Sequence, residues 1–496
     1  MTPLEREVKL AASPTFRMPS LDELGDDILT IPRDAERLQT VYFDTGDFRL
    51  ARWGISLRHR EGQGWTTKLP AEDGGDLLIR GEFTFPGEEA TSPPDEAIDL
   101  IRAYVRTATL RPVVRLRTIR RMIQLLDLDD RHVGDVVDDE VSVLAGRRIA
   151  ARFRELEVEI TDATPDGLLD EVLGRLRAAG AGSPDPTPKY VRAVGPLATQ
   201  PPEVLVGPLP ARPSVSEVLG RALAVSIGHL MRHDVVIRLD ADPEGVHQSR
   251  VSARRLRSDL RTFRTVLHPD WAGPLREELR WLGTVLGEAR DADVLSQRVQ
   301  GRADLIPATE APGVANVLEA LAQRRKEAHG VVIEALRSER YATLLDRLVE
   351  AAHHPMVLPE ADAAVTEIVP DLLRGPWEHL RKAVRAVGKR PSDAELHTIR
   401  IRAKRVRYAA DALAPIMGKP ARRFADAAAE LQTILGEHND AVVAESWLRA
   451  WAAGHRSNDA AFAAGMLAGI ERAAAQEARY RWHRAWKTMA TAREAM

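Results

Sequence analysis

The 496-residue chain contains no cysteine. That absence excludes disulfide scaffolds, thiolate metal sites, iron–sulfur clusters and cysteine nucleophiles. Aromatic residues make up only 5% of the chain, and no basic segment interleaves with stacking rings, which disfavours a nucleic-acid platform. No apolar run approaches the roughly 20 residues that cross a bilayer, so no membrane partner is expected. Met1 to Leu10 carries charges in place of an apolar signal core, and the cytoplasm is the expected compartment. Nor does either charge dominate: 70 Lys and Arg stand against 73 Asp and Glu, for a formal net charge of −3. A polyanion-binding surface would therefore have to come from local segregation of charge. What remains is ordinary for globular protein, with 44% hydrophobic and 29% charged residues. The length fits two or three domains.

The first 195 residues show short alternating segments separated by turn residues: Glu5–Leu10, Thr40–Phe43, Ile55–Arg60, Trp65–Leu69 and Arg154–Ile160. Alternation at period 2 predicts strands, with turns at Gly62-Gln-Gly64 and Asp73-Gly-Gly75. A helix is expected over Pro165–Ala178. Residues 196–212, rich in proline and small residues, read as a linker. From 213 to 496, apolar residues recur at three- and four-residue spacing, as over Ser214–His233, Pro243–Leu267, Pro274–Val299 and Ala421–Ala453. This is an all-helical pattern. It repeats itself: His247-Gln-Ser-Arg-Val-Ser-Ala-Arg-Arg-Leu-Arg257 matches His397-Thr-Ile-Arg-Ile-Arg-Ala-Lys-Arg-Val-Arg407 at an offset of 150. Leu282–Asp291 matches Leu431–Asp440 at an offset of 149. Two pseudo-equivalent bundles are expected, at about 213–345 and 360–496.

The expected strands carry charge on one face. Glu5, Glu7 and Lys9 share a face, as do Arg58 and Arg60, Arg80 and Glu82, and Glu155, Glu157 and Glu159. Closed into a barrel with those faces inward, the strands would enclose a polar lumen. The alternative is an ordinary antiparallel sheet with these charges in solvent. In the closed form Glu5, Glu7, Glu155, Glu157 and Glu159, with Asp138 or Asp139, would suit hard divalent cations. Lys9, Arg58, Arg60, Lys68, Arg80, Arg120 and Lys189 would suit phosphate oxygens. A polyphosphate chain with bound metal needs both. Carboxylates so crowded are expected to titrate high without metal, favouring alkaline activity.

Glu5-x-Glu7-x-Lys9 at the N-terminus, followed in order by Tyr42-Phe-Asp-Thr45, Leu57-Arg-His-Arg60, Trp65-Thr-Thr-Lys68, the Arg80/Glu82 strand, Arg117-Thr-Ile-Arg120, Val137-Asp-Asp139, Glu155–Glu159 and Pro188-Lys-Tyr190, resembles the CYTH family of triphosphate tunnel metalloenzymes. The resemblance implies an eight-stranded antiparallel tunnel over about 1–195 that acts on triphosphates with Mg²⁺ or Mn²⁺. Carried over by motif, Glu5, Glu7, Glu157, Glu159 and either Asp138 or Asp139 would hold metal. Lys9, Arg58, Arg60, Lys68, Arg80, Arg120 and Lys189 would hold phosphates, with Glu5, Glu7, Lys9, Lys68 and Glu157 central to catalysis. In-line attack by water then needs no protein nucleophile.

In the helical part, His247, Arg250, Arg254, Arg257 and Arg261 fall within an arc of roughly 80° on one helix. His397, Arg400, Lys404 and Arg407 form a second stripe that ends at Asp411. Like charges so spaced repel, so a stripe gains from an anion crossing it. Gly-Glu-Ala-Arg290-Asp291 and Gly-Glu-His438-Asn-Asp440 are expected to close helices and pair with basic neighbours. This part is similar to the CHAD domain, and the resemblance implies polyphosphate binding along a basic surface.

The fold expected is thus α+β and multidomain: an eight-stranded antiparallel tunnel followed by an all-α domain of two pseudo-repeated bundles. The expected function is metal-dependent hydrolysis of inorganic or another linear triphosphate, with polyphosphate bound by the helical part and polyphosphate granules as an associated location. The alternatives are a non-catalytic polyphosphate scaffold, and a hydrolase or cyclase acting on a nucleotide or thiamine triphosphate.

Overall fold

Nine strands open the chain in the computed structural model, which describes residues 4–22, 24, 27–74, 77–359, 369–388 and 390–495, with only the backbone described at 71–74 and 369–371. They are β1 (Leu4–Ala12), β2 (Ile28–Pro32), β3 (Glu36–Asp44), β4 (Ser56–Arg60), β5 (Gly64–Gly74), β6 (Leu77–Phe85), β7 (Arg111–Asp127), β8 (His132–Ala145) and β9 (Arg148–Ile160). Every pairing is antiparallel. The order β7-β3-β4-β5-β6-β1-β9-β8 closes on itself through β7–β8, giving an eight-stranded barrel. β2 adds a short ninth strand along the far end of the long β7. The turn expected at Asp73-Gly-Gly75 runs into residues outside the described ones, as does the start of the second helical repeat at 360–368.

Four short helices accompany the barrel: α1 (Arg49–Arg52), α2 (Asp95–Val105), α3 (Leu168–Ala178) and α4 (Lys189–Val194). α3 begins three residues later than its pattern suggested, after Gly167 in the left-handed region (φ 83°). It covers the outer barrel face with Leu168, Val172, Leu173 and Leu176. These pack on Val8, Leu10, Val136, Leu156 and Val158, the apolar alternates of the charged strand positions. Period 2 therefore gives the barrel a greasy coat and a charged interior from the same strands.

The chain divides into two compact units, Met1–Glu203 and Val204–Met496. Residues 196–203, read from sequence as linker, are held on the first unit. Pro196–Thr199 forms a 3₁₀ turn, and Glu203 accepts from Trp53 at 3.0 Å and pairs with Arg106 at 2.6 Å.

The second unit holds nine helices among the described residues: α5 (Val215–Arg238), α6 (Glu244–Thr262), α7 (Pro269–Ala303), α8 (Ala311–Arg337), α9 (Glu339–His353), α10 (Val369–Ala386), α11 (Asp393–Met417), α12 (Lys419–Gly454) and α13 (Asn458–Glu494). No described helix is long and apolar enough to cross a membrane. α5 and α11 each start at a capping box, Ser214/Glu217 and Ser392/Glu395, which satisfies the first orphan N–H groups. α6 stops at Thr262, short of the expected Leu267, with a 3₁₀ turn at Arg264–Val266 before Pro269 opens α7. The matched motifs place His247 on α6 and His397 on α11. The segments ending at Asp291 and Asp440 lie inside α7 and α12. They do not close helices, as the sequence had suggested.

Asp259 on α6 is 1% exposed. Burial pushes its carboxyl up to about 8, with Asp411 of α11 adding to the effect and Arg255 opposing it. A carboxyl titrating this high when folded, against about 3.9 unfolded, contributes stability that is lost as pH rises from about 4 to about 8. Asp259→Asn should therefore stabilise the helical unit over wild type by an amount that grows toward about 1.4 kcal/mol per pH unit in that window. Denaturation midpoints of both proteins at several pH values measure it. A difference independent of pH would remove Asp259 as the cause.

Candidate functional site

Strand register decides which side chains meet. Directly opposed residues on antiparallel strands point to the same face. Glu5 lies opposite Arg80, Lys9 opposite Glu157, Lys68 opposite Glu82 and Arg120 opposite Asp139. Each rung joins opposite charges. Two rungs do not: Glu7 faces Glu159, and Asp139 faces Glu155. Glu5, Lys9, Lys68, Arg80, Glu82, Arg120, Glu157 and Glu159 line a cavity of about 210 Å³ in the lumen, with Glu7, Asp139 and Glu155 on the same strand faces beside it.

The Asp139/Glu155 rung is bridged from α4. Pro188 precedes the helix, and Lys189 at its first position sits 2.8 Å from Asp139, 3.0 Å from Glu155 and 2.8 Å from Glu157. Arg120 adds two hydrogen bonds to Asp139, at 3.0 and 2.7 Å, and one to Glu157 at 3.1 Å. Burial would raise Asp139, but Lys189 and Arg120 hold it well below the usual carboxylate range. Burial would lower Lys189, and Asp139 and Glu155 keep it above the ordinary ammonium value. Lys9 sits between Glu157 and Glu7, at 3.0 Å from the latter.

Among the described residues no cation bridges the Glu7/Glu159 rung in this way. Glu5, Glu7 and Glu159 each offer a carboxylate oxygen, and the three lie within 4.8 Å of one another. Glu5 Oε2 is buried without a hydrogen-bond partner. Burial first, then Glu5 and Glu7, push Glu159 above the usual range. Burial would raise Glu7 as well, but Lys9, Arg80 and Lys68 hold it well below. The expectation that the crowded carboxylates titrate high thus holds at Glu159 and fails at Glu7 and Asp139, because cations face the last two. Three converging carboxylate oxygens, beside a Glu5 oxygen without a hydrogen-bond partner, fit a hard divalent cation.

Across the lumen lie cations with little carboxylate contact. Among the described residues Arg60 bonds only neutral oxygens, Thr40 Oγ1 at 3.4 Å and Gln63 Oε1 at 3.0 Å, and burial and then Arg58 lower it to about 10. Arg58 has a buried Nε without a partner and reaches Glu82 at 3.5 Å. Lys68 pairs with Glu5 and, at 3.0 Å, Glu82; Arg80 pairs with Glu7, and its Nε, without a hydrogen bond, lies 3.9 Å from Glu5.

Asp138 does not join the site. It lies outside the lumen, paired with Arg154 at 2.7 Å and Arg121 at 3.7 Å. Adjacent strand residues point to opposite faces, so admitting Asp139 expels Asp138. Tyr42 was missed as a lining residue. It stacks on Tyr190 at 5.0 Å and 11°. Burial would raise its hydroxyl, but Arg58, Lys189 and Arg60 bring it down. Its position two residues beyond Thr40, opposite Arg58, was the available signal.

In the second unit, α6, α7, α11 and α12 enclose a cleft of about 380 Å³. His247, Arg250 and Arg254 face His397, Arg400 and Lys404 across it. Arg290 of α7, expected to be structural, also lines it. Asp291 pairs with Arg250 at 3.0 Å and Asp440 with Arg400 at 3.9 Å, while Asn439 Oδ1 lies 2.7 Å from His397 Nδ1. Arg254 donates to the Tyr408 hydroxyl at 2.8 Å. The Nε atoms of Arg250, Arg254 and Arg400 are buried without partners. Burial, then Arg254, Arg400 and Arg250, lower Lys404 to about 6 against a weaker pull from Asp440. Burial and then Arg290 lower His247. Arg257, Arg261 and Arg407 lie outside this lining; Arg407 turns to Asp411 at 3.6 Å. His438 is buried against Asp393 and Arg479.

An antiparallel tunnel with a carboxylate triad beside clustered cations, followed by duplicated helical bundles, defines a class, and comparison with known proteins agrees. The CYTH domain model matches residues 3–190 and the CHAD domain model residues 221–449. Two Mycobacterium tuberculosis proteins, both named as uncharacterized, are 33% identical over 474 residues, spanning 90% of this chain and 88% of theirs. The chain belongs to the family that joins a CYTH domain to a CHAD domain. Enzymes of the CYTH family are metal-dependent, usually with Mg²⁺ or Mn²⁺. Among solved structures, PptA from Streptomyces chartreusis is 22% identical with a TM-score of 0.46, covering 55% of this chain and 99% of its own. The CHAD domain of Ricinus communis is 29% identical with a TM-score of 0.45, covering 56% and 96%.

The geometry makes a metal-binding prediction. Loss of a partner that merely orients a ligand costs roughly 10–100-fold in metal affinity, and loss of a ligand should cost at least as much. Glu5→Gln and Glu159→Gln should weaken Mn²⁺ binding by that factor, read by calorimetry, while Asp138→Asn leaves it unchanged. Equal losses in all three variants would disprove the assignment.

Proposed function

We propose that the tunnel hydrolyses inorganic triphosphate or a related linear triphosphate, and that the helical unit binds polyphosphate. The observation that carries the first part is the split lumen: Glu5, Glu7 and Glu159 converge on one side, and Arg58 and Arg60 stand opposite with few carboxylate partners. A divalent cation held by the triad would supply neutralisation of phosphate charge and a more acidic water. The remaining roles fall to the protein. Arg58 and Arg60 bind the phosphate oxygens furthest from the triad. Lys68 and Arg80, poised between Glu5, Glu7 and the cavity, orient the chain for in-line attack. Lys9, Arg120 and Lys189 pair with Glu157, Asp139 and Glu155 and fix the wall against which the anion lies. The lining offers Tyr42 and Tyr190 as its only aromatic residues among the described ones. It has no apolar wall for a nucleobase or thiazole, which favours an inorganic substrate over an organic one.

Phosphate release from tripolyphosphate with Mg²⁺ or Mn²⁺ tests this reading. Glu5→Gln/Glu7→Gln should lower the rate by at least about 10²-fold, the scale on which single preorganised electrostatic groups act. Wild-type and variant rates that match would leave the tunnel as a binder without turnover.

For the helical unit, the supporting observation is a cleft in which half-buried guanidinium groups of both repeats outnumber the carboxylates among its described lining residues. A polyanion would release counterions and satisfy the orphaned Nε atoms. Arg254→Ala/Lys404→Ala should weaken polyphosphate binding and reduce its salt slope by about two. Affinity should also rise as pH falls from about 8 to about 6, because Lys404 and His247, held neutral among Arg250, Arg254, Arg290 and Arg400, take up protons once the anion screens them. A flat pH profile at constant salt would exclude proton uptake there.

A further inference from the structure

The cleft is one end of a longer cationic path, and the two repeats do not extend it alike. The 150-residue offset lets positions be compared pair by pair: Arg255 corresponds to Arg405, Arg261 to Asp411, and His229 to His379. On the side of the first repeat's Arg255, charge is answered. Asp411 reaches across from α11 to 3.7 Å from Arg255, and it also pairs with Arg407. Asp259 is buried nearby.

On the pseudo-equivalent side, Arg261 stands where Asp411 would be. It joins Arg264, His379, Arg402 and Arg405 in lining a groove of about 480 Å³ formed by α6, the 3₁₀ turn after it, α10 and α11. Among the described residues this lining contains no carboxylate. Burial and then Arg405, Arg276 and Arg264 hold Arg261 below the ordinary guanidinium range, and burial and then Arg402 do the same at Arg405. The Nε of Arg276 is buried without a partner. Guanidinium groups gathered this way repel one another, and the arrangement gains only when an anion lies among them. Arg257 connects the two regions. It is one helical turn from Arg254, which lines the cleft, and one turn from Arg261, which lines the groove. Its own guanidinium is depressed by burial, then by Arg276 and Arg254.

We propose that this groove is a second polyphosphate subsite, entered by a chain that leaves the cleft over Arg257, and that Asp411 closes the corresponding exit from the other repeat. The polyanion then lies across the helical unit in one direction only. The inference rests on the polyphosphate reading of the cleft and deepens it.

The test uses the full chain and a long-chain polyphosphate, with affinity measured across a salt series. Arg264→Gln/Arg405→Gln, which touches no residue of the cleft lining, should weaken binding roughly tenfold and lower the salt slope by about two. Arg255→Gln, the change at the neutralised side, should leave both unchanged. Asp411→Arg should open the second exit and raise affinity and slope. If the double variant loses no more than Arg255→Gln while Arg254→Ala/Lys404→Ala still weakens binding, the groove is no subsite and the cleft stands alone. A wild-type chain that fails to bind long-chain polyphosphate removes both readings at once.

Discussion

The tunnel depends on one constraint: a charge buried in the lumen is stabilised by its opposite across the next strand. Removing an ion from water costs several kcal/mol even after relaxation, and attraction offsets this only where geometry is good. The register supplies that geometry at Glu5/Arg80, Lys9/Glu157, Lys68/Glu82 and Arg120/Asp139. The two like-charged rungs are where the constraint is left open. Lys189 closes one from outside the sheet. The other, Glu7/Glu159, keeps its repulsion and gathers Glu5 beside it. The apolar alternates, from Val8 to Val158, meet α3 on the outside, so barrel stability and lumen chemistry sit on opposite faces of the same strands.

The helical unit treats charge the other way. Along the cleft its cations are concentrated, and among the described lining residues only Asp291 and Asp440 answer them, with Asp411 lying beyond. The repeat brings two basic stripes face to face, which neither bundle could do alone. The stabilisation this arrangement forgoes is recovered elsewhere, in capping boxes at α5 and α11 and in alanine-rich contacts along α12 and α13.

Much of this was legible from residue order. Period 2 separated lumen from coat at Glu5, Glu7, Lys9, Arg58, Arg60 and the Glu155–Glu159 series, because alternation is a local property of a strand. Asp138 against Asp139 was not legible, since the two are equivalent until β8 is set against β9 and β7. The protonation of the carboxylates was misjudged for a related reason: the sequence shows how many acids share a face, but only the register shows that Lys9 and Arg80 stand against Glu7. On the helices, spacing placed Arg250, Arg254 and Arg257 on one arc but could not say which neighbour each would meet. An arc of one helix faces different partners along its length, so Arg250 and Arg254 reached the cleft while Arg257 did not. Arg290 was read as structural because its segment looked like a helix end, and it lies within α7 and lines the cleft.

The ammonium group that separates Asp139 from Glu155 comes from a helix that begins 29 positions after the last strand ends. A chain cut behind β9 would keep all eight barrel strands and still lack that wedge. Two buried carboxylates would then confront each other across a single rung, with Arg120 left to answer one and Lys9, at 3.8 Å, the other. The smallest autonomous form of the barrel is therefore longer than its set of strands, and its C-terminal boundary is drawn by electrostatics, not by hydrogen-bonded closure.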